Sequence, residues 1–344
     1  MTNAPINPVA VEVTRGPEAG SAFVESRHRA ACAVVAVNGD IVHQWGDVSA
    51  AIFPRSAIKL IQALPLLESG AAEAYGLGDA EICLACASHN SEDRHIDTVS
   101  DVLKRAGLTA QALECGPQVS TNEAVREALL HLHVEASPLR NNCSGKHMGF
   151  LATAQHLGDN PAGYVGRDHP VQQRVTQAIS DMCEFDLADA PWGVDGCSIP
   201  AFALPLTNLA HGMAKLAAPQ GLGPTRQAAC ERIVQAIAAE PFMIAGTGRF
   251  CTAMNGVLKG QAVVKTGAEG VMMAALPGKG LGIALKVDDG AGRANGVALA
   301  AVFRFLGILD DTQVAAIHDH VRIPVTDRHD TRVGEVRAAD GWPA

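Results

Sequence analysis

The segment RAACAVVAVNGDIVHQW, residues 29–45, decides how the fold begins. Two apolar runs, 29–37 and 41–45, flank Asn38-Gly39-Asp40. An Asn-Gly pair between two such runs is the strongest short-range signal of a β-hairpin. The chain is therefore expected to start in a sheet, with one strand on each side of this turn.

Beyond the hairpin the sequence predicts helices. Ile58, Ile61 and Leu64 recur at helical spacing after Ser56, and Pro65 is expected to kink this helix. A short apolar run predicts a strand over Ile82 to Ala87. Further helices are predicted over about 92–106, 122–133, 146–157, 170–182 and 225–239.

Apolar runs broken by glycine follow the helical middle. They predict strands over 256–259, 261–265, 270–276 and 281–287, and then a helix over about 294–306. This order predicts an α+β fold: an antiparallel sheet built from N- and C-terminal strands, flanked by helices, with an inserted helical lobe. The chain is expected to form a single unit. Its sheet lobe would take about residues 1–90 and 245–344, and its mainly helical lobe about residues 91–244.

Composition narrows the class of protein. The 344 residues are 48% hydrophobic and 18% charged, which is typical of a compact metabolic enzyme. A net charge of −9 without a basic cluster argues against a nucleic-acid partner. Neither a signal peptide nor a membrane-spanning run is evident, so a cytoplasmic protein without a membrane partner is expected. Nine cysteines spread over the chain favour free thiols over a disulfide framework.

Three short motifs indicate acyl-transfer chemistry. Ser56 and Lys59 form S-x-x-K, Ser88 opens S-x-N, and Lys265 opens K-T-G, in the order described for penicillin-interacting serine enzymes. Residues i and i+3 share a helix face, so the Lys59 amine is expected within reach of the Ser56 hydroxyl. Lys59 would be the base that the hydroxyl needs, and the charge of Lys265 would favour the neutral form of Lys59.

Six motifs in order carry a resemblance to a known family. They are PRSAIK (54–59), CASHN (86–90), NNCSGKHMG (141–149), DGCSIP (195–200), GTGRFCT (246–252) and KTGAEG (265–270). With these motifs the chain resembles the L-asparaginases of the rhizobial, thermolabile type, the asparaginase II family. The resemblance runs nearly from end to end.

The resemblance implies a fold similar to serine β-lactamases and glutaminases, a homodimer, and hydrolysis of L-asparagine to aspartate and ammonia. It makes Ser56 the nucleophile with Lys59 as base, and Ser88 with Lys265 the supporting pair. It also implies a zinc site, whose ligands are Cys143, Lys146, Cys197 and a water molecule. Lysine binds a metal as the neutral amine, a form that the cation itself promotes.

Five further motif residues are implied to line the substrate pocket: Arg55, His147, Asp195, Cys251 and Glu269. A substrate with an α-carboxylate and an α-ammonium group needs opposite charges there. Other roles stay open for three of them. Arg55 could be a salt-bridge residue, His147 a donor behind the metal ligands, and Cys251 a packed thiol.

Two other functions stay open. One is a glutaminase or a broader cytoplasmic serine amidase, which relative turnover of asparagine and glutamine would distinguish. The other is a zinc-stabilised ligand-binding protein without catalysis. Both serine-lysine pairs argue against the second function, because a binding protein has no need of a base beside a serine.

Overall fold

The computed structural model describes residues 6–16, 22–120 and 122–344. The strands are β1 Val9–Arg15, β2 Phe23–Ala36, β3 Ile41–Trp45, β4 Ala51–Ile52, β5 Trp192–Val194, β6 Pro200–Phe202, β7 Leu204–Pro205, β8 Val263–Thr266, β9 Val271–Leu276, β10 Leu281–Val287, β11 Ile323–Thr326 and β12 Arg332–Ala338. The α-helices are α1 Lys59–Gln62, α2 Leu64–Glu68, α3 Ala71–Ala74, α4 Asp79–Ala85, α5 Asp93–Arg105, α6 Glu123–His131, α7 Ser144–Leu157, α8 Pro170–Cys183, α9 Leu206–Ala217, α10 Pro224–Ala239, α11 Phe250–Leu258, α12 Gly292–Phe305, α13 Asp311–Ala316 and α14 His318–Val321.

One antiparallel sheet joins the two ends of the chain. Its order is β11-β12-β1-β2-β10-β9-β8, and β3 pairs with β2. The predicted hairpin is β2 and β3, and Gly39 in its turn has the positive φ of 89° that favours glycine. The predicted α+β class, with a sheet made of N- and C-terminal strands and helices between them in sequence, is confirmed.

Helix α9 packs directly on the sheet. A Cβ atom at Gly282 of β10 would collide with the Ala210 carbonyl and the Ala214 amide of this helix, so only glycine allows the close approach. Helix α9 lies within the segment 91–244 that was assigned to the helical lobe. A helix of the predicted helical lobe thus packs directly on the sheet of the other lobe. The boundaries of the two lobes stay a prediction.

Two predicted strands are wrong. Residues Ile82 to Ala87 mostly belong to helix α4, which starts where the Gly78 N–H donates to Glu81 Oε2 over 2.9 Å. This run is almost entirely buried, and periodicity does not separate a buried helix from a buried strand. Residues 256–259 end helix α11, where Lys259 takes a left-handed conformation with a φ of 46°.

Most predicted helices are present with ends shifted by at most two residues: α5, α6, α7, α8, α10 and α12. The sequence did not predict α9, α11 or the hairpin of β11 and β12. Each of the nine cysteines lies in the described ranges and is a buried, unpaired thiol. Within those ranges, none of the helices combines the length and the apolarity that crossing a bilayer requires.

Candidate active site

Ser56 lies in a short 3₁₀ turn, Arg55–Ile58, that precedes α1. The turn begins with Arg55 in a left-handed conformation, with a φ of 51°, which is a strained conformation for a residue with a side chain. Gly267 of the K-T-G motif packs against it, because a Cβ atom there would lie 2.6 Å from the Pro54 carbonyl oxygen. This contact places the S-x-x-K turn beside the end of β8.

Lys59 is buried and is hydrogen-bonded away from Ser56. Its Nζ atom lies 2.5 Å from the Ala87 carbonyl oxygen, 3.0 Å from Ser88 Oγ and 3.1 Å from Cys143 Sγ. A buried amine needs such acceptors, and the loop after α4 supplies them. The expected hydrogen bond between Lys59 and Ser56 is not found among the described residues. The hydroxyl that Lys59 does contact is that of Ser88, and the pairing of Lys59 with Ser56 stays a prediction.

Ser88 connects the two lysines of the motifs. Its Oγ lies 3.0 Å from Nζ of Lys59 and 3.0 Å from Nζ of Lys265, which also donates to the Thr266 carbonyl over 2.7 Å. Burial, together with the charge of Lys59, lowers the pKa of Lys265 to about 7. Lys265 is thus able to hold or release a proton near neutral pH while it touches a serine hydroxyl.

Backbone and side-chain hydrogen bonds fix the loop that carries Ser88. The Ser88 N–H donates to the Ile244 carbonyl over 3.1 Å. Asn90 Nδ2 donates to the Thr247 carbonyl over 3.0 Å, and Asn90 Oδ1 accepts from Arg249 Nη1 over 2.7 Å. The loop is therefore held against the segment before α11. Asn90 and Arg249 were not predicted as site residues, although both lie within quoted motifs.

A thiol-lysine cluster lies next to Lys59. Lys146 Nζ is 3.1 Å from Cys197 Sγ, and Cys143 Sγ, which donates to Asn142 Oδ1 over 3.0 Å, lies near enough to Cys197 for the two thiols to interact. The interaction with Cys197, together with the nearby charges of Lys59 and Lys146, lowers the pKa of Cys143 well below its ordinary value despite burial, and the same interaction raises the pKa of Cys197. Burial opposes charge on Lys146, but the sulfur atoms of Cys197 and Cys143 raise its pKa. The structure thus brings together the three side chains predicted to hold zinc.

The donor atoms of this cluster are of a type that binds a soft metal ion. Two sulfur atoms and one nitrogen, all buried, are ligands that Zn²⁺ binds in proteins, and a thiolate at Cys143 would meet its need for charge. Across the described ranges, no group of three histidine, cysteine or carboxylate side chains could hold a metal ion. A metal at this place would therefore need Lys146 as its third protein ligand.

His147 is held from one side by a tyrosine. The Glu114 N–H donates to Tyr164 Oη over 2.9 Å, and Tyr164 Oη lies 2.7 Å from His147 Nδ1. Because the tyrosine proton has no other partner among the described residues, Tyr164 donates it to Nδ1. His147 then carries its own proton on Nε2, a buried atom without a partner in the described ranges. Neither nitrogen contacts a predicted metal ligand, so both roles of His147, substrate contact and donor behind the metal ligands, stay predictions.

Replacing Tyr164 with phenylalanine is expected to lower the free energy of unfolding by about 1–3 kcal/mol. The change leaves the Glu114 N–H and His147 Nδ1 without a partner in a buried place. Urea unfolding of the variant measures the effect. Tyr75→Phe is the matched control, because Tyr75 is half-buried and its hydroxyl has no hydrogen bond to the described residues. Equal stabilities of the two variants would contradict the tyrosine-histidine contact.

Arg55 and Asp195 form an ion pair at the site. Nη2 and Nε of Arg55 lie 2.8 and 3.1 Å from Asp195 Oδ1, which also accepts from the Gly196 N–H over 2.7 Å. Burial would raise the pKa of Asp195, but the hydrogen bond from Arg55 and the charge of Lys146 lower it. The negative charge of the exposed Glu269 also helps to raise the pKa of Arg55. Glu269 has a positive φ of 56°. Arg55 is thus a salt-bridge residue in this structure.

Cys251 is a packed thiol in the first turn of α11. It is fully buried, and burial raises its pKa. Lys265 and Arg249 lie near enough to oppose this rise through their charges. Cys251 therefore supports the wall of the site next to Lys265, and its neutral thiol is a poor nucleophile.

The comparisons with known proteins give one extensive sequence match. Residues 11–338 match the family described as L-asparaginase II. The curated proteins yield no match. Solved structures that resemble this chain include three distant neighbours.

The first neighbour is Mglu in its native form in 4.3 M NaCl, with 15% identity, 83% of this chain covered and a TM-score of 0.44. The match covers 63% of the Mglu chain, less than two thirds of its length. The second is a beta-lactamase from Mycobacterium bovis, with 10% identity, 80% and 94% coverage of this chain and that chain, and a TM-score of 0.43. The third is the D-alanine carboxypeptidase AmpC from Burkholderia cenocepacia, with 14% identity, 81% and 93% coverage, and a TM-score of 0.38. On the sequence match, this chain belongs to the L-asparaginase II family.

Proposed function

We propose that this protein hydrolyses L-asparagine to aspartate and ammonia through an acyl-enzyme on serine. The observation that carries the proposal is Ser88 Oγ, at 3.0 Å from the amines of both Lys59 and Lys265. Two ammonium groups side by side in a buried place cost free energy. A hydroxyl between them, with one amine able to be neutral near pH 7, is arranged for proton transfer.

Ser56 is the proposed nucleophile. It is half-buried and thus open to a substrate, whereas Ser88 is buried and its Oγ is already hydrogen-bonded to two lysines. Lys59, with the pair of Ser88 and Lys265, would receive the proton of the Ser56 hydroxyl. Catalytic hydrogen bonds are often long before substrate binds, so the missing Ser56 contact is compatible with this role.

The reaction has two steps. Ser56 Oγ attacks the carbon of the side-chain amide of asparagine. The proton of Ser56 passes to the lysine-serine cluster, which consists of Lys59, Ser88 and Lys265. The C–N bond then breaks, and the nitrogen takes up that proton and leaves as ammonia. Water hydrolyses the resulting ester, which releases aspartate and restores the Ser56 hydroxyl.

The charged groups of the substrate need partners at the site. The second oxygen of Asp195, Oδ2, accepts no hydrogen bond from the described residues and is available to an α-ammonium group. Glu269 would add negative charge at the same side. Both residues therefore support a substrate with a free α-amine, as asparagine has.

Cys143, Lys146 and Cys197 are the residues proposed to hold zinc. When bound, the ion would supply a fixed positive charge that shapes and polarises the substrate pocket. Two observations support this role: Lys59 Nζ lies 3.1 Å from Cys143 Sγ, and the charge of Lys146 lowers the pKa of Asp195.

Ammonia release from L-asparagine and L-glutamine by the purified protein tests the function. We expect kcat/KM for asparagine to exceed that for glutamine by roughly 10- to 200-fold, the range that one methylene group gives in a fitted pocket. A larger kcat/KM for glutamine would make the protein a glutaminase. No ammonia from either amide would refute the proposal.

Metal analysis tests the zinc site. The wild-type protein, purified in the presence of zinc, is expected to contain one zinc per chain, and Cys197→Ser to contain almost none, because a neutral hydroxyl replaces a sulfur ligand. Cys230→Ser is the control, since Cys230 is a buried thiol on α10 outside the cluster. Equal zinc contents in the two variants, or no zinc in the wild type, would refute the metal assignment.

The homodimer that the resemblance implies and the cytoplasmic location expected from the sequence both stay predictions. Light scattering on the purified protein checks the first of these. A particle of twice the chain mass is expected.

A further inference from the structure

Arg249 lies beside the lysine-serine cluster. It immediately precedes helix α11 and is half-buried. Its Nη1 atom donates to Asn90 Oδ1 over 2.7 Å and lies 3.5 Å from the Ser88 carbonyl oxygen. Two neutral oxygen atoms of the Ser88 loop therefore hold the guanidinium group in place next to the proposed catalytic residues.

This guanidinium group has no carboxylate partner in the part of the chain that the structure describes. The carboxylate of Glu92, near Asn90, is occupied by other donors. Its two oxygens accept hydrogen bonds from the N–H and the hydroxyl of Thr247, each over 2.7 Å. Arg55, in contrast, is paired with Asp195. Of the two arginines at the site, only Arg249 keeps an unneutralised charge.

The surroundings of Arg249 add to this positive charge. Its charge acts on Lys265, so the two cations lie close enough to repel each other. The N-terminus of α11 carries a partial positive charge, and the first turn of this helix holds no acidic residue. A half-buried cation in such a place is stabilised by an anion, and a guanidinium group matches the two oxygens of a carboxylate.

We propose that Arg249 binds the α-carboxylate of the substrate, while Arg55 holds Asp195 in place for the α-ammonium group. This inference rests on the proposed function and specifies which charge of asparagine meets which residue. Nη2 and Nε of Arg249 make no hydrogen bond to the described residues, so two donors remain for the carboxylate. The orientation set by Arg249 would favour amino acids over simple amides.

The test compares two amides that differ only in the carboxylate. L-asparagine has it, and β-alaninamide is asparagine without it. Arg249→Gln is expected to lower kcat/KM for asparagine by roughly 10- to 100-fold, mainly through KM, as for the loss of a charge-assisted hydrogen bond. Hydrolysis of β-alaninamide should change by less than about twofold. Arg249→Lys should restore part of the loss, because it keeps the charge without the fork of donors.

Arg55→Gln is the matched variant. It removes the other arginine of the site, and the ratio of the two kcat/KM values should stay as in the wild type. Equal losses on both amides in Arg249→Gln would show that Arg249 acts on Lys265 or on the Ser88 loop, which overturns the assignment. If the ratio collapses only in Arg55→Gln, Arg55 is the residue that binds the carboxylate, and the assignment to Arg249 is likewise overturned.

A binding measurement separates this inference from the proposed function. Calorimetry with L-aspartate and with β-alanine, which is aspartate without its α-carboxylate, needs no turnover. If the wild type releases no ammonia but binds aspartate more tightly than β-alanine, and Arg249→Gln loses this difference, the proposed function fails and the carboxylate site stands. An unchanged preference in Arg249→Gln overturns the carboxylate site.

Discussion

Ser56→Ala will release ammonia from asparagine at least about 10³-fold more slowly than the wild type, because it lacks the hydroxyl that forms the acyl ester. The substitution removes only a half-buried hydroxyl that has no hydrogen bond to the described residues. Its melting temperature should therefore equal that of the wild type. Ammonia release under saturating asparagine, with a thermal melt of the same sample, measures both.

The role of Ser56 is separable from that of Ser88. With a slow substrate, intact-mass spectrometry should find an acyl group on the wild type and on Ser88→Ala, but not on Ser56→Ala. Ser88→Ala should still be slowed, since it breaks the link between Lys59 and Lys265. Ser100→Ala, on the exposed face of α5, is the control for loss of a serine. An acyl group on Ser56→Ala would transfer the role of nucleophile to Ser88.

Protonation of Lys265 is expected to determine the acid limb of the pH profile, which is the loss of kcat/KM at low pH. Burial is the main cause that lowers the pKa of Lys265 to about 7. The positive charge of Lys59 lowers it further, and that of the nearby Arg249 acts in the same direction. The thiols of Cys251 and Cys143 oppose the shift. An amine accepts a proton only when it is neutral, so activity is lost as the pH falls through 7. Below that pH we expect kcat/KM to drop about tenfold per pH unit.

Variants of Lys265 distinguish a base from a structural cation. Lys265→Met should lower kcat/KM by about 10²- to 10⁴-fold at pH 8 and remove the acid limb near pH 7. Lys265→Arg keeps a charge that cannot be lost at these pH values, and it should be equally slow. Near-normal activity in Lys265→Arg would show that the site needs only a positive charge. Circular dichroism of each variant checks that the buried substitution leaves the fold intact.

Part of the site could be predicted because its residues lie within short motifs. S-x-x-K, S-x-N and K-T-G each place a reactive side chain at the end of an element, and the structure brings Lys59, Ser88 and Lys265 together. The contact of Lys59 with Ser88 could not be predicted from the three-residue spacing of Ser56 and Lys59. The buried Lys59 amine needs several acceptors, and the segment at Ala87 and Ser88, far along the chain, provides them.

The missed residues have a common cause. Arg249 acquires its role from Asn90, 159 residues earlier in the chain, and from the absence of a nearby carboxylate among the described residues. The motif GTGRFCT contains Arg249, but a sequence does not show whether an arginine is paired. The same limit applied to Arg55, whose partner Asp195 lies 140 residues away.

The sequence by itself determined the antiparallel α+β class, the β2–β3 hairpin and the family, because turn residues, apolar periodicity and contiguous motifs are local properties of the chain. Only the tertiary structure decided that Lys59 contacts Ser88, that Ile82 to Ala85 belong to a helix, and that Arg55 is paired while Arg249 has no carboxylate partner among the described residues. These outcomes depend on burial and on acceptors from distant segments. Hydrogen bonds and ion pairs of buried groups are chosen by whichever partners packing brings within about 3 Å.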